Sequence, residues 1–381
     1  MSNERIPIEQ YKSLFLSGAP LIDVRAPVEF AQGHLPHAVN IPILNDEERA
    51  LIGTTYKHEG QEAAIALGYK IVSGDVKADR VQRWKDFVQT HPGSVVYCFR
   101  GGKRSQITQA WLAEAGISVP IIAGGYKKAR QFFSDQLNKF CSQRELLVVS
   151  GPTGSGKTEL LKEVSGFYPT MDLELLARHR GSAFGSLPVH QPTQIDFEIA
   201  LALECLKIED KTPLSIRPLV EDESRLIGRI CQPKPFFERL RSSEVLWLEE
   251  AFETRVENIF TDYVLNTDIG EGSSPQFRCA EEEEILRGQA LKLFAKYRES
   301  VLSIRRKLGG LRSQEILADL QTAESQFLAH GDIQSNKVWI EKLLSYYYDP
   351  LYLSSLERRQ VRVLFKGPRH EVVSFLKSLP Q

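Results

Sequence analysis

The sequence predicts an α/β protein, two parallel-sheet domains followed by a helical C-terminal extension, and three observations predict it. Short β-favouring apolar runs alternate with helix-like stretches through the first two thirds of the chain, which is the pattern of strands joined by crossovers. Two of these runs end in glycine-rich loops that open onto a helix start, at residues 98–105 and 151–158. Beyond residue 280 the apolar residues recur at helical spacing instead. At 381 residues the chain can bury two or three cores. The expected boundaries are 1–140, 145–280 and 281–381.

Composition narrows the class. A hydrophobic content of 42% with 25% charged residues is that of an ordinary globular protein. The formal net charge of -1 excludes a globally basic nucleic-acid binder, so any RNA contact has to come from a local patch. The five cysteines (Cys98, Cys141, Cys205, Cys231 and Cys279) are odd in number and contain no C-x-x-C pair. That argues against a disulfide framework and against a structural metal site. The opening MSNERIPIEQ has no apolar signal region and no run approaches a membrane span. A reducing cytoplasm is the expected compartment, with no membrane partner.

In chain order, Leu21-Ile22-Asp23-Val24-Arg25 reads as a short strand ending in a charged pair, and Gly33-His34-Leu35-Pro36-His37-Ala38-Val39-Asn40 follows. This wording resembles the rhodanese-like sulfurtransferase domain. The likeness continues through Val95-Val96-Tyr97-Cys98 to Ile121-Ile122-Ala123-Gly124-Gly125-Tyr126, covering roughly residues 5–135. It implies a parallel sheet flanked by helices, with a cysteine that carries transferable sulfur or selenium. A helical insert over residues 45–69 could cover the mouth of such a site or simply pack on it.

The loop itself is chemically distinctive. Cys98 is followed by Arg100, Gly101, Gly102, Lys103, Arg104 and Ser105, then by a helical run. Glycines let backbone N–H groups curl around an anion, and the helix N-terminus adds a positive dipole end. The same field stabilises a thiolate, so Cys98 is a candidate nucleophile. A lone cysteine is ordinarily a small buried hydrophobe, but three cations make poor company for one. The Cys98-x5-Arg104 spacing is the longer form, similar to the loop of cysteine-dependent phosphatases that hold a tetrahedral phosphate. A phosphatase is therefore the rival reading, although Tyr97 stands where those enzymes usually have His.

The second loop follows Leu146-Leu147-Val148-Val149-Ser150. Gly151-Pro152-Thr153-Gly154-Ser155-Gly156-Lys157-Thr158 fits G-x-x-x-x-G-K-[ST] with a strand before and a helix after, the context that a phosphate-binding P-loop requires. Lys157 would reach the terminal phosphates and Thr158 could ligate Mg²⁺. The wording also resembles the P-loop of tRNA dimethylallyltransferases, which holds a prenyl diphosphate. Two acidic clusters are candidates for acid/base or Mg²⁺ work: Asp172 with Glu174, and Glu221, Asp222 and Glu223. Each could equally be a solvated loop. Arg178, His179, Arg180, Ser182 and Arg225 suit contacts to phosphates or to an RNA backbone.

Taken together, the Cys-Phe-Arg-Gly-Gly loop, the P-loop, Asp-Leu-Glu-x-Leu-Ala-x-His-Arg-Gly-Ser-x-Phe-Gly and Val-Glu-Asp-Glu-Ser-Arg closely resemble the bacterial tRNA 2-selenouridine synthase family across most of the chain. The resemblance implies a transferase acting on tRNA with 2-thiouridine at the wobble position. The thio sulfur would first be geranylated from geranyl diphosphate at Gly151, Thr153, Gly154, Ser155, Gly156, Lys157 and Thr158. Selenium from selenophosphate would then replace it at the Cys98 loop, with Cys98 carrying the selenium. The implied partners are that tRNA and a selenophosphate supplier, with no tightly bound cofactor. A loop of this size would hold thiophosphate nearly as well, so selenium rests on the resemblance. The alternative from another class is a cysteine-dependent phosphatase fused to an ATP-binding kinase or switch module.

The C-terminal region repeats apolar residues at helical spacing, with a break at Gly309-Gly310. Residues 291–381 hold 15 Lys and Arg against 9 Asp and Glu, an excess that could face tRNA phosphates. Tyr346, Tyr347, Tyr348 and Tyr352 could stack bases, and Phe236, Phe237, Trp247 and Phe252 could line an isoprenoid pocket, although core packing is the plainer account of each.

Overall fold

The computed structural model describes residues 4–182, 184–185, 189–267, 269, 280–357, 359 and 361–380. Ala183 and Cys279 lie outside them. The chain divides into two compact units, Met1–Gln143 with Pro192–Thr212, and Arg144–Gln191 with Pro213–Gln381.

The first unit is built on five parallel strands: β1 (Arg5–Ile6), β2 (Leu21–Asp23), β3 (Ala38–Asn40), β4 (Val95–Tyr97) and β5 (Ile121–Ile122), in the order β1-β5-β4-β2-β3. Central β2 and β4 are buried throughout, because a parallel sheet covered on both faces needs apolar residues on both. Asp23, at the end of β2, is fully buried and pays its desolvation through Arg25, whose guanidinium bonds it at 2.6 and 2.9 Å. Arg25 also donates to the Gly33 carbonyl and lies 3.9 Å from the Tyr126 ring centroid, while Asn40 Nδ2 donates to the Asp23 and Arg25 carbonyls. The Asp-x-Arg and Gly…Asn signatures are thus one polar knot tying β2, β3 and the turn before helix Gly125–Gln143.

One helix of this unit comes from far along the chain. Gln194–Lys211, capped by the Thr193 side chain, packs along helix Gly125–Gln143 through an apolar face that includes Phe197, Leu201, Cys205 and Ile208. Its Asp196 accepts the His34 N–H at 2.8 Å, and Ile195 sits where a Cβ on Gly33 would fall. The chain therefore leaves the second unit after residue 191 and returns at 213, rather than running through 145–280 in one piece.

The second unit carries β6 (Leu147–Ser150), β7 (Thr170–Met171), β8 (Leu219–Glu221), a hairpin of β9 (Leu226–Ile227) and β10 (Ile230–Cys231), then β11 (Glu244–Leu248) and β12 (Val363–Gly367). Its parallel sheet has the order β12-β11-β6-β8-β7. The P-loop strand β6 is central, and β8, which ends in the second acidic cluster, lies directly beside it. The C-terminal region is helical over Ala280–Leu308, Gly310–His330, Asn336–Leu343 and Asp349–Glu357, with the break at Gly309, φ 93°. Its final strand, β12, joins the sheet beside β11. Phe260, Phe294, Tyr297, Leu320, Trp339, Ile340 and Tyr347 form the helical core. Among the described residues no helix is long and apolar enough to cross a membrane.

Candidate active sites

The Cys98 loop is shaped by glycine. Gly101 (φ 62°) and Gly125 (φ 58°) face one another so closely that a Cβ on Gly125 would fall 2.2 Å from the Cys98 carbonyl oxygen and 2.4 Å from Gly101 N. That proximity lets Tyr126 N–H donate to the Cys98 carbonyl and Lys127 N–H to Phe99, both at 2.9 Å. With its carbonyls held behind it, the loop runs through Gly102 into helix Lys103–Glu114, whose N-terminal N–H groups are the natural anion donors.

Cys98 Sγ lies 3.2 Å from Ser105 Oγ, a fully buried hydroxyl on the first turn of that helix. Arg104 bonds both oxygens of Glu29, at 2.5 and 3.1 Å. Burial alone would raise the Glu29 carboxyl. The hydrogen bond and charge of Arg104, with Arg49 beyond, hold it below the usual range. A bidentate carboxylate fixes the plane of a guanidinium, so Arg104 is a pre-aimed cation. Arg100 and Lys103 line the same cavity as Cys98. Tyr97 is fully buried with its hydroxyl accepting the Leu35 N–H, so the residue that departs from the phosphatase pattern is a packing residue here.

In the second unit the P-loop wraps as its spacing requires. Gly154 and Gly156 have φ 81° and 82°, and a Cβ on Gly154 would fall 2.7 Å from the Arg255 carbonyl. Lys157 Nζ bonds the Gly151 carbonyl at 2.9 Å, folded over the loop, and Thr158 is the second residue of helix Lys157–Val164. Gly151 and Ser155 are in close contact, with a Cβ on Gly151 falling 2.6 Å from Ser155 Oγ.

The two acidic clusters, far apart in sequence, meet beside Thr158. Glu174 Oε2 accepts from Thr158 Oγ1 at 3.4 Å, and the Glu174 N–H donates to Glu221 Oε1 at 2.7 Å. Asp172 caps helix Leu173–Ala177 through the Leu175 N–H, and Asp222 is bonded by Arg359 at 2.9 and 3.0 Å. Glu174 and Glu223 are both within reach of the Lys157 charge. Burial pushes Glu174, Glu221 and Glu223 up, the last to about 8, and their mutual repulsion adds to it. Among the described residues no three His, Cys, Asp or Glu side chains group as a metal cage.

The segment expected to contact phosphates divides. Arg180 donates to the Asp262 carbonyl at 2.6 Å and lies over Tyr263, whose hydroxyl bonds Ser182, so both are anchored on the helical core. His179 is lowered by burial and by Lys296 nearby, while Arg178 and Arg225 are exposed. Gly181 rests on the Glu223 carboxylate, 2.3 Å from where its Cβ would be. Of the aromatic residues considered for an isoprenoid pocket, Phe236 is fully buried, Trp247 lies tilted against Tyr352 with ring centroids 5.8 Å apart, and Phe252 packs on the helical core.

Sequence reasoning missed the residues that hold the P-loop from outside. Arg255 donates to the Thr153 carbonyl at 2.9 Å and to Asp349 at 2.5 and 3.2 Å, and Asn258 donates to the Gly154 carbonyl. Tyr352 reaches Gly151, and Arg359 reaches Asp222. None has a local motif, and each acts across about a hundred residues or more. Of the 15 cations beyond residue 291, seven form ion pairs among the described residues: Arg298, Lys337, Lys342, Arg359, Arg362, Lys366 and Arg369.

Known proteins resemble both halves of the chain. Residues 8–131 match the rhodanese-like domain, and residues 144–381 match the family described as the tRNA 2-selenouridine synthase AAA domain. The chain is 59% identical over 379 residues to a tRNA 2-selenouridine synthase of Bdellovibrio bacteriovorus, covering all of both chains. It is 55% identical over 384 residues to the synthase of Nitrosomonas europaea, covering 99% of this chain and all of that one. It is also 53% identical over 387 residues to that of Nitrosomonas eutropha, with both chains covered in full. With one family matched over most of its length and relatives this similar from end to end, the chain belongs to the tRNA 2-selenouridine synthase family.

Proposed function

We propose that this chain replaces the 2-thio sulfur of wobble 2-thiouridine in tRNA with selenium, using its two anion sites for two donors. The observation that carries the reading is the coexistence, in one chain, of a cysteine loop with a pre-aimed arginine and a P-loop backed by buried carboxylates.

The P-loop site serves the first step. The thio sulfur attacks C1 of geranyl diphosphate, the C1–O bond breaks and pyrophosphate leaves. Lys157 and the loop N–H groups meet the charge that develops on the leaving group. Alkylation costs the base a proton, and the ionised form of Glu223, whose proton affinity burial raises, is suited to take it. Thr158 and Glu174 are the residues that would hold Mg²⁺, which would add charge neutralisation for the diphosphate.

The Cys98 site serves the second. Arg104 and the N-terminus of helix Lys103–Glu114 hold the phosphate of selenophosphate. Attack of the Cys98 thiolate on phosphorus expels hydrogen selenide anion and leaves a phosphocysteine that water hydrolyses, so no oxidant is needed. A cysteine that carried selenium as a selenylsulfide would need one. Selenide then adds at C2, the C2–S bond breaks, and geranylthiol departs. Alkylation makes this possible because the free thio sulfur is a poor leaving group.

The test is mass analysis of 2-thiouridine tRNA incubated with geranyl diphosphate alone and then with selenophosphate. Wild type makes the geranylated and then the selenated base, Cys98→Ala stalls after geranylation, and Lys157→Ala fails at it. An unchanged tRNA mass under every combination rejects the reading in favour of a phosphatase joined to a nucleotide-binding module.

A further inference from the structure

The cavity that reaches Cys98 is far larger than a tetrahedral anion needs. Its volume is about 650 Å³, in the range of about 300–1,000 Å³ found for small-molecule sites. Arg100, Lys103 and Arg104 line it together with the Cys98 thiol. Most of the remaining lining is hydrocarbon, from Ile43, Leu44, Ile52, Ile65, Ile107 and Trp111, with Arg49, Lys57 and Gln61 among them.

The helices that roof it point the same way. Asp46–Glu59 has no buried residue, and Gln61–Ile71 has only Ala64. Yet the first is firmly built: it is capped reciprocally by Asn45 and Glu48, and Glu48 bonds the Arg80 guanidinium at 2.7 Å. Ile52, Ala64 and Ile65 on these helices line the cavity, with Ile52 also packing against the core of the unit. Apolar side chains on a well-anchored roof around an apolar space are what a hydrocarbon ligand requires, and neither selenophosphate nor a uracil ring is one.

We propose that this chamber holds the geranyl chain of the S-alkylated base beside Cys98 while selenium is delivered, so that the thiol leaves into apolar surface. The assignment rests on the proposed function for the reaction and adds the site of the leaving group. It makes the second site selective for long alkyl groups, since each buried methylene favours binding about fourfold. It also keeps the unalkylated base, which has nothing to fill the chamber, a poor substrate for selenium.

The experiment uses the full chain, selenophosphate and anticodon stem-loop RNAs bearing either S-geranyl- or S-methyl-2-thiouridine, and reads kcat/KM for selenation of each. The expected preference for the geranyl RNA is at least about tenfold, and it collapses toward one in Ile65→Trp, which fills the chamber, and in Ile52→Gln, which makes it polar. Two substitutions on different roof helices guard against one failing to fold. Equal rates on both RNAs in the wild type, or a preference that survives both substitutions, overturns the chamber assignment alone. Selenation of neither RNA rejects the proposed function and the assignment with it.

Discussion

The Tyr352 hydroxyl accepts the Gly151 N–H at 2.6 Å, joining the first residue of the P-loop to a helix two hundred residues away. The direction of the bonds that follow is fixed by chemistry. Asp222 as a carboxylate only accepts, so Ser150 Oγ donates to it and Tyr352 donates to Ser150. Burial, with Asp222 nearby, raises the Tyr352 hydroxyl well above its ordinary value and keeps that proton in place. Arg359 closes the chain on Asp222.

Tyr352→Phe therefore leaves the Gly151 N–H without its acceptor and Ser150 without its donor. The expected cost is about 1–3 kcal/mol, as for other stranded buried polar groups. It should appear as a lower melting temperature and as weaker binding of geranyl diphosphate, read by titration calorimetry. Selenation of RNA that is already geranylated should be unaffected, because that step uses the other unit.

Arg104 and Glu29 make a comparable pair in the first unit. Arg104→Lys keeps the charge but not the fork that grips both Glu29 oxygens. Selenation should fall at least about tenfold, equivalent to about 1.4 kcal/mol of transition-state stabilisation, with geranylation unchanged. Glu29→Gln should produce the same split with a smaller loss, since Arg104 then keeps its charge and loses only part of its alignment. Equal loss of both steps in either variant would contradict the two-site division.

Both glycine-rich loops, their strands and the helices behind them were legible because each is a local pattern: an apolar run, glycines at the turns and a helix start. The Asp-x-Arg signature was legible for the same reason, with Arg25 two residues from the carboxylate it neutralises. Arg255, Asn258, Tyr352 and Arg359 were not, since nothing near them in sequence records that they meet the P-loop. That helix Gln194–Lys211 joins the first unit was not legible either, because its apolar face predicts burial without saying against which core. Strand β12 was missed because five residues at the end of a helical region carry too short an alternation to stand out. The meeting of Glu174 with Glu221 and Glu223 follows from β7 pairing with β8, a topological fact that spacing does not carry.

The buried carboxylates predict an unusual pH dependence of stability. Glu223 rises from an ordinary value of 4.5 to about 8 in the folded chain, and Glu174 and Glu221 shift in the same direction. Between those values the unfolded chain has lost a proton that the folded chain retains, so stability falls as pH rises through this window. Glu223→Gln removes that term. Its melting temperature should exceed that of wild type by several degrees at about pH 8.5 and by little at about pH 5, each kcal/mol being worth about 2–4 °C in a unit of this size. A variant whose advantage is the same at both pH values would show that Glu223 ionises normally.

Gly125 offers the sharpest test of how the cysteine loop is held. Its φ of 58° already disfavours any side chain, and a Cβ there would overlap the Cys98 carbonyl oxygen and Gly101 N. Both contacts are with backbone, so no rotamer relieves them. In Gly125→Ala the loop has to move away from the turn, which breaks the Tyr126 and Lys127 N–H bonds that keep its carbonyls turned back. Selenation should be lost by at least about a hundredfold, since misplacement of a nucleophile by about 1 Å has effects of that size. The P-loop belongs to the other unit, so geranylation should persist. Gly124→Ala is the informative companion: its Cβ would meet Lys128 Cγ and Cβ, at 2.4 and 2.7 Å, and not the Cys98 loop, while its φ of 77° carries the same backbone strain. Retained selenation in Gly124→Ala beside its loss in Gly125→Ala would assign the defect to the clash with the Cys98 loop rather than to strain in the turn.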